Sequence, residues 1–292
     1  GMLAFSNPER AVELVDRFGD DGEKQQRYRM IANTWAMNSP EEALAWVQSL
    51  PDDKLRENLL PNLIGGWANN NAQEALAFAL TLEDSSVRKH AAGNALRHWA
   101  SSDPRAALDY LTENRDQFGS SATEIVKSMG WSLASVDSGE LAEIVATLPT
   151  KDERHALTAS VANSKVHQAP QQAAALLETL PEGTHREGAA SHIATIWGNR
   201  DAPAASEWIA ELPPGKSREN AVAAFSRALV EDDPESAATW AASLENDVQR
   251  DGTLSHVARR WLEKDRPAAE AWLSETGGLS EEVKDKLLNP NP

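Results

Sequence analysis

The chain is 292 residues long, with 45 acidic against 28 basic side chains, a formal net charge of −17, 41% hydrophobic content and no cysteine. The excess of acid argues against nucleic acid and anionic membrane as partners, since both require a basic footprint, and it favours cationic ones. The missing thiols exclude disulfides, thiolate metal sites and a cysteine nucleophile, and no apolar run reaches the length of a membrane span.

Gly1 ahead of Met2 has the form of a residue left by cloning, so the natural chain is expected to continue upstream. Asn7, Pro8 and Glu9 then start the first complete helix. The stretch from Trp35 to Arg56 is the template of the repeating unit. Ser39 is a good N-cap, Pro40 suits the first helical position, and Glu42 stands where a capping box wants an acid. Ala43, Trp46, Val47 and Leu50 fall at i, i+3, i+4 and i+7, the apolar stripe of an amphipathic helix. Pro51 ends it, because the residue before a proline is pushed out of the helical region. A second helix is expected to start near Arg56 and run to Trp67, where the pattern begins again.

The key letters return every 32 residues. Trp35, Trp67, Trp99 and Trp131 are followed in the same slot by Lys165, Trp197, Leu229 and Trp261, with Leu3 at the head of the series and one step of 34 between Trp131 and Lys165. Eleven residues after each anchor comes a second large side chain: Leu14, Trp46, Phe78, Tyr110, Leu176, Trp208, Trp240 and Trp272, with Ile144 after the insertion. All 10 tryptophans occupy one of these two slots. Eight residues after the anchor stands alanine, at Ala11, Ala43, Ala75, Ala107, Ala173, Ala205, Ala237 and Ala269, with Leu141 the exception. A small residue held there implies close passage of another helix, and a period of this length is the signature of a stacked repeat.

One unit departs from the rule. From about residue 112 to 140, TENRDQFGSS replaces the usual Leu-Pro turn, and Glu124 and Lys127 stand where apolar residues are due. A register shift that turns Ile125, Val126 and Met129 inward would repair the core, leaving a bend or a distorted helix pair. At the far end Gly277 and Gly278 stop the ninth first helix, and residues 280–288 form a polar helix that caps the stack.

Motifs for chemistry are weak. AELPPGKS at 210–217 has the loose form of a phosphate-binding loop but follows a helix and contains two prolines, which lack the N–H groups that cradle phosphate. His90 and His98, and His185 and His192, are eight and seven residues apart with no accompanying ligand pattern, so no metal site is expected. The pairs Asp52 and Asp53, and Asp232 and Asp233, lie in turns where carboxylates stabilise helix N-termini. No GxSxG, DxDD or DDxxD stretch is present, and neither catalytic residues nor a cofactor are expected.

Two periodic polar patterns remain. Arg56, Arg88, Arg154, Arg186, Arg218 and Arg250 lie eleven residues before an anchor. They form either a guanidinium ladder for a carboxylate-rich or phosphorylated ligand or a set of ion pairs to acids on the next repeat, holding the stacking register. Five and two residues before the anchor lie Asn62, Asn94, Ser160, His192 and His256, and Asn33, Arg97, Asn163, Arg227 and Arg259. These share one face of the second helix. If that helix lines the inside of a curve, Asn62, Asn94, Arg97, His192, Arg227, His256 and Arg259 form a polar binding groove; otherwise they form a solvated face.

At the level of WAxxxPxxALxWxxxLPxxxxR, from about Asn7 to Gly277, the chain resembles a tetratricopeptide-type α-solenoid. It is more specifically similar to tryptophan-rich, Asp-Pro-containing repeats of bacterial envelope-associated proteins. The resemblance implies right-handed superhelical stacking, a peptide-binding concave groove and an extracytoplasmic home; the period of 32 rather than 34 and the Trp-Ala pair near the inner turn depart from it. The expectation is therefore an all-α, right-handed superhelix of about nine helical hairpins forming one elongated domain. Its expected role is a non-catalytic peptide- or protein-binding or scaffolding module whose partner carries positive charge. An α/α-toroid enzyme and a purely structural, self-associating spacer are the alternatives.

Overall fold

The computed structural model describes residues 2–18 and 21–289, so Gly1 lies outside it. The described residues form helices and turns with no strand, which establishes the all-α class. They fall into two compact units, one holding residues up to Leu133 together with Asp137–Glu153, the other Ala134–Val136 together with the residues from Arg154 onward.

In the first unit α1 (Met2–Ser6), α2 (Pro8–Phe18), α3 (Asp21–Ala36), α4 (Pro40–Ser49), α5 (Asp53–Leu80), α6 (Ser85–Ser102) and α7 (Pro104–Glu113) precede α8 (Arg115–Phe118), a 3₁₀ turn over Gly119–Ser121, α9 (Ala122–Ser128) and α10 (Ser138–Thr147). The second unit takes over within α11 (Lys151–Lys165) and continues through α12 (Pro170–Glu178), α13 (Thr184–Arg200), α14 (Ala202–Glu211), α15 (Lys216–Leu229) and α16 (Pro234–Ala242). It closes with α17 (Asp247–Lys264), α18 (Arg266–Glu275) and α19 (Glu281–Leu288). Short first helices such as α4, α7, α12 and α14 alternate with longer second helices such as α6, α13 and α17, each packing on its neighbours in sequence. Each unit is thus a stack of helical hairpins.

Carboxylate caps set the beat. Asp103, Asp201, Asp233 and Asp265 hold nearly the same backbone geometry, φ between −152° and −142°, and each accepts the N–H three residues on. Asn71 does the same for Glu74 N at 3.2 Å, and its φ of −145° breaks α5 into two helices, 53–70 and 72–80. Ser39 departs from expectation: it sits at the N-cap of α4 but makes no side-chain cap, and Pro40 at the first position fixes the start there instead. The second helix begins at Asp53, not near Arg56, because Asp52 accepts the N–H groups of Lys54 and Leu55 at 2.9 and 3.3 Å and so nucleates a turn earlier.

The alanine slot is buried throughout: Ala11 is 7% exposed and the other seven alanines 0%. Around it the two large slots meet. Trp35 stacks on Trp46 at 5.6 Å between ring centroids and Trp197 on Trp208 at 5.7 Å, while Trp261 meets Trp272 at 5.6 Å, Trp67 meets Phe78 at 5.5 Å and Trp99 meets Tyr110 at 5.6 Å in tilted pairs. Where the anchor is Leu229, Phe225 one turn earlier replaces it and packs edge-on against Trp240. Each pair joins the end of a second helix to the next first helix, so one contact both closes a hairpin and seats its successor. Where the anchor is Lys165, the chain stays buried and its ammonium reaches the Val136 carbonyl at 3.2 Å.

Residues 112–140 break the rhythm. α9 turns Ile125, Val126 and Met129 inward, none more than 5% exposed, and Phe118 and Leu133 join them at 0%. The cost falls on Trp131, which is left 74% exposed. Arg115, in the segment that replaces the usual turn, pairs with Glu153, a carboxylate only 1% exposed that also accepts from the Thr150 hydroxyl at 2.9 Å. At the C-terminal end α18 stops at Glu275, two residues ahead of Gly277, and α19 is capped by the Ser280 hydroxyl.

Candidate binding faces

The polar slots five and two residues before the anchor interleave rather than form two rows. Consecutive second helices are offset by one turn, so a residue meets its neighbour 29 or 33 positions away: Asn33 Nδ2 donates to the Asn62 carbonyl at 3.1 Å, and Asn94 Nδ2 to the Pro61 carbonyl at 3.0 Å. The −2 slot of one repeat therefore faces the −5 slot of the next.

The seven candidate residues divide between the units. Asn62, Asn94 and Arg97 belong to the first, and His192, Arg227, His256 and Arg259 to the second. In the first unit the side chains already have partners: Asn62 Nδ2 donates to the Asn58 backbone carbonyl at 3.2 Å, Arg97 donates to Asn94 Oδ1, and Asn69 Oδ1 lies 3.1 Å from His98 Nδ1. Asn62 also lines a groove of 380 Å³ with Arg29, Glu57 and His90.

In the second unit the same slots hold charge. His192 stacks edge-on with His167 at 6.0 Å, and burial, reinforced by His167 and opposed by the Asn163 carbonyl, pushes its pKa down. His256 is pushed down by burial and then by Arg227, Arg259 and Arg260, with Glu231 opposing. Burial and the neighbouring guanidinium groups thus both disfavour the charged imidazole. Arg260 is spoken for, since its Nε donates to Glu231 at 2.8 Å and its Nη1 to Glu263 at 2.6 Å. Arg227 and Arg259 make no ion pair or side-chain hydrogen bond among the described residues.

The arginine row does neither of the things its spacing implied. Arg56, Arg88, Arg186 and Arg250 each donate to the carbonyl of the leucine six residues earlier, Leu50, Leu82, Leu180 and Leu244, at the end of the preceding first helix. Their carboxylate partners lie in the same hairpin, as with Asp53 and Arg56 or Asp247 and Arg250, not on the next repeat. These four arginines are clasps on the inter-helix turn and form no ladder facing a ligand.

The phosphate-loop lookalike is likewise filled from within. Gly215, at φ 154°, starts α15, and Ser217 donates its hydroxyl to Glu182 Oε2 at 2.9 Å, so a carboxylate already stands at that helix N-terminus. Asp52 and Asp233 cap helices, and a hydrogen-bonded Ser236 holds the Asp233 carboxyl below its ordinary range. Among the described residues no three His, Asp or Glu side chains are grouped to hold a metal ion. Grooves between consecutive first helices, floored by the indole pairs, escape a periodic reading of the sequence because their lining letters are scattered over three helices.

These features define an all-helical protein of stacked hairpin repeats. Compared with protein-family models, curated proteins and solved structures, the chain gives no significant match.

Proposed function

We propose that this chain is a non-catalytic module that binds a peptide or protein segment, in the manner of the tetratricopeptide-like arrays it resembles, with the second-helix face of the second unit as its contact surface. The observation that carries this reading is the pair Arg227 and Arg259, two guanidinium groups without carboxylate partners beside His256 in a chain of net charge −17. Guanidinium forks left unpaired in an acidic protein suit carboxylates supplied from outside. His192 extends the same face. Among the described residues no helix is long and apolar enough to cross a membrane. An extracytoplasmic setting belongs to this proposal on the strength of the resemblance alone.

The structural-array reading is favoured in the first unit, where the corresponding asparagines tie one second helix to the next. The two readings part on a titration of fluorescently labelled acidic peptides, followed by anisotropy. Replacing Arg227 and Arg259 by alanine is expected to weaken the best binder roughly tenfold or more, since each charged hydrogen bond contributes about 1.5–3 kcal/mol, with helix content by circular dichroism unchanged. Affinity that survives the double substitution rules this face out as the contact surface.

A further inference from the structure

We infer that the grooves between consecutive first helices form a second, separate binding surface, which takes the lysine or arginine side chains of a basic polypeptide. The groove between α2 and α4, of 660 Å³, has the stacked Trp35 and Trp46 as its floor and Glu9, Glu13 and Glu42 on its walls. The groove between α12 and α14, of 330 Å³, has Trp197 and Trp208 below and Glu178, Glu207 and Glu211 around them. Every lining position of the first has its counterpart 162 residues later in the second, as Trp35 has Trp197 and Trp46 has Trp208. The same pocket is therefore built in each unit from the same register.

What recurs is the charge rather than the residue. Glu9, Glu13 and Glu42 are replaced by Gln171, Ala175 and Ala204, while Ala45 and Ser49 become Glu207 and Glu211, so each groove keeps three carboxylates on its lining, of which Glu13 pairs with Arg10 on its own helix. A carboxylate needed for packing would stay in its position; one needed for the field of the groove can move around the rim. Glu178, Glu207 and Glu211 have no cationic partner among the described residues. An indole face beside carboxylates attracts a cation through the ring quadrupole and through the charges together.

The irregular repeat shows what fits. At the corresponding positions of α7 and α10, Arg105 and Glu143 stand 3.9 Å apart and bridge the two first helices. There the anchor Trp131 has swung out to solvent and the chain supplies its own guanidinium. The carboxylates of the intact grooves are not grouped to hold a metal ion, which points to an extended organic cation. Trp208, 7% exposed, lines its groove with an indole Nε1 that has no acceptor. A polypeptide offers both a cationic side chain and a carbonyl oxygen.

The test is a titration of the full chain with a peptide alternating lysine and glycine, followed through the indole N–H resonances and by anisotropy, with the glutamate counterpart as control. The expected result is a shift of the Trp35, Trp46, Trp197 and Trp208 signals with Trp131 unmoved. Replacing the six groove glutamates by glutamine should weaken binding roughly tenfold, about 1.4 kcal/mol, while six neutralised carboxylates elsewhere on the surface change it less than twofold. Equal loss from both sets, a shift of the same four indole signals by the glutamate peptide, or shifts spread to Trp131 would overturn the inference. The R227A/R259A variant should bind the lysine peptide undiminished, which keeps this outcome separate from the fate of the second-helix face.

Discussion

A methyl group on Gly66, in α5, would land 2.0 Å from the carbonyl oxygen of Asn33 in α3. That oxygen belongs to backbone, and no rotamer change can move it away. We therefore expect Gly66→Ala to cost about 2–4 kcal/mol in urea denaturation, the range of an overpacked core site. Gly188→Ala, in the middle of α13 with open space around it, should instead stabilise by about 0.5–1 kcal/mol, because only the entropy of the unfolded chain changes. Similar destabilisation by both would mean that the helices do not approach at Gly66. Side chains on this scale were half legible: the asparagines and arginines of the polar face were found by spacing, but Asn33 and Asn94 donate to backbone carbonyls 29 and 33 residues away. No side-chain letter marks a carbonyl as an acceptor, so the clasp between second helices could not be read from the chain.

At the scale of the element, the hairpin turn is held by the arginine just beyond it. Arg186, whose side chain is 12% exposed, donates to Leu180 O at 2.9 Å across the turn between α12 and α13. Arg186→Met keeps the aliphatic stem and removes the donor, leaving a part-buried carbonyl unmatched, so a loss of about 1–2 kcal/mol is expected from thermal unfolding. An unchanged midpoint would show that water satisfies the carbonyl as well. First helices were legible almost to the residue, because Asp at the cap, Pro in the first turn and Ala on the buried face are local signals. Second-helix starts were not, since Asp52 acts through two backbone N–H groups and precedes the conspicuous arginine by four positions. The irregular unit was legible in its register shift, at Ile125, Val126 and Met129, but not in the pairing of Arg115 with the buried Glu153, which joins residues 38 apart.

For the molecule as a whole, the hairpin stack and its 32-residue period rest on large side chains meeting eleven residues apart over a buried alanine. Both proposed surfaces arise from that one arrangement. Offsetting consecutive second helices by a turn brings Arg227 and Arg259 around His256, and seating consecutive first helices over an indole pair leaves an acidic trough above it. The anchor slot therefore sets the packing on which both proposals rest, except at Trp131, which is left exposed in the irregular unit. Equilibrium urea unfolding of Trp197→Ala beside Trp131→Ala tests this most directly. The expected loss is about 3–5 kcal/mol for the first, the cost of removing a buried indole, and less than about 0.5 kcal/mol for the second; equal losses at the two positions would contradict the anchor's role in holding the stack.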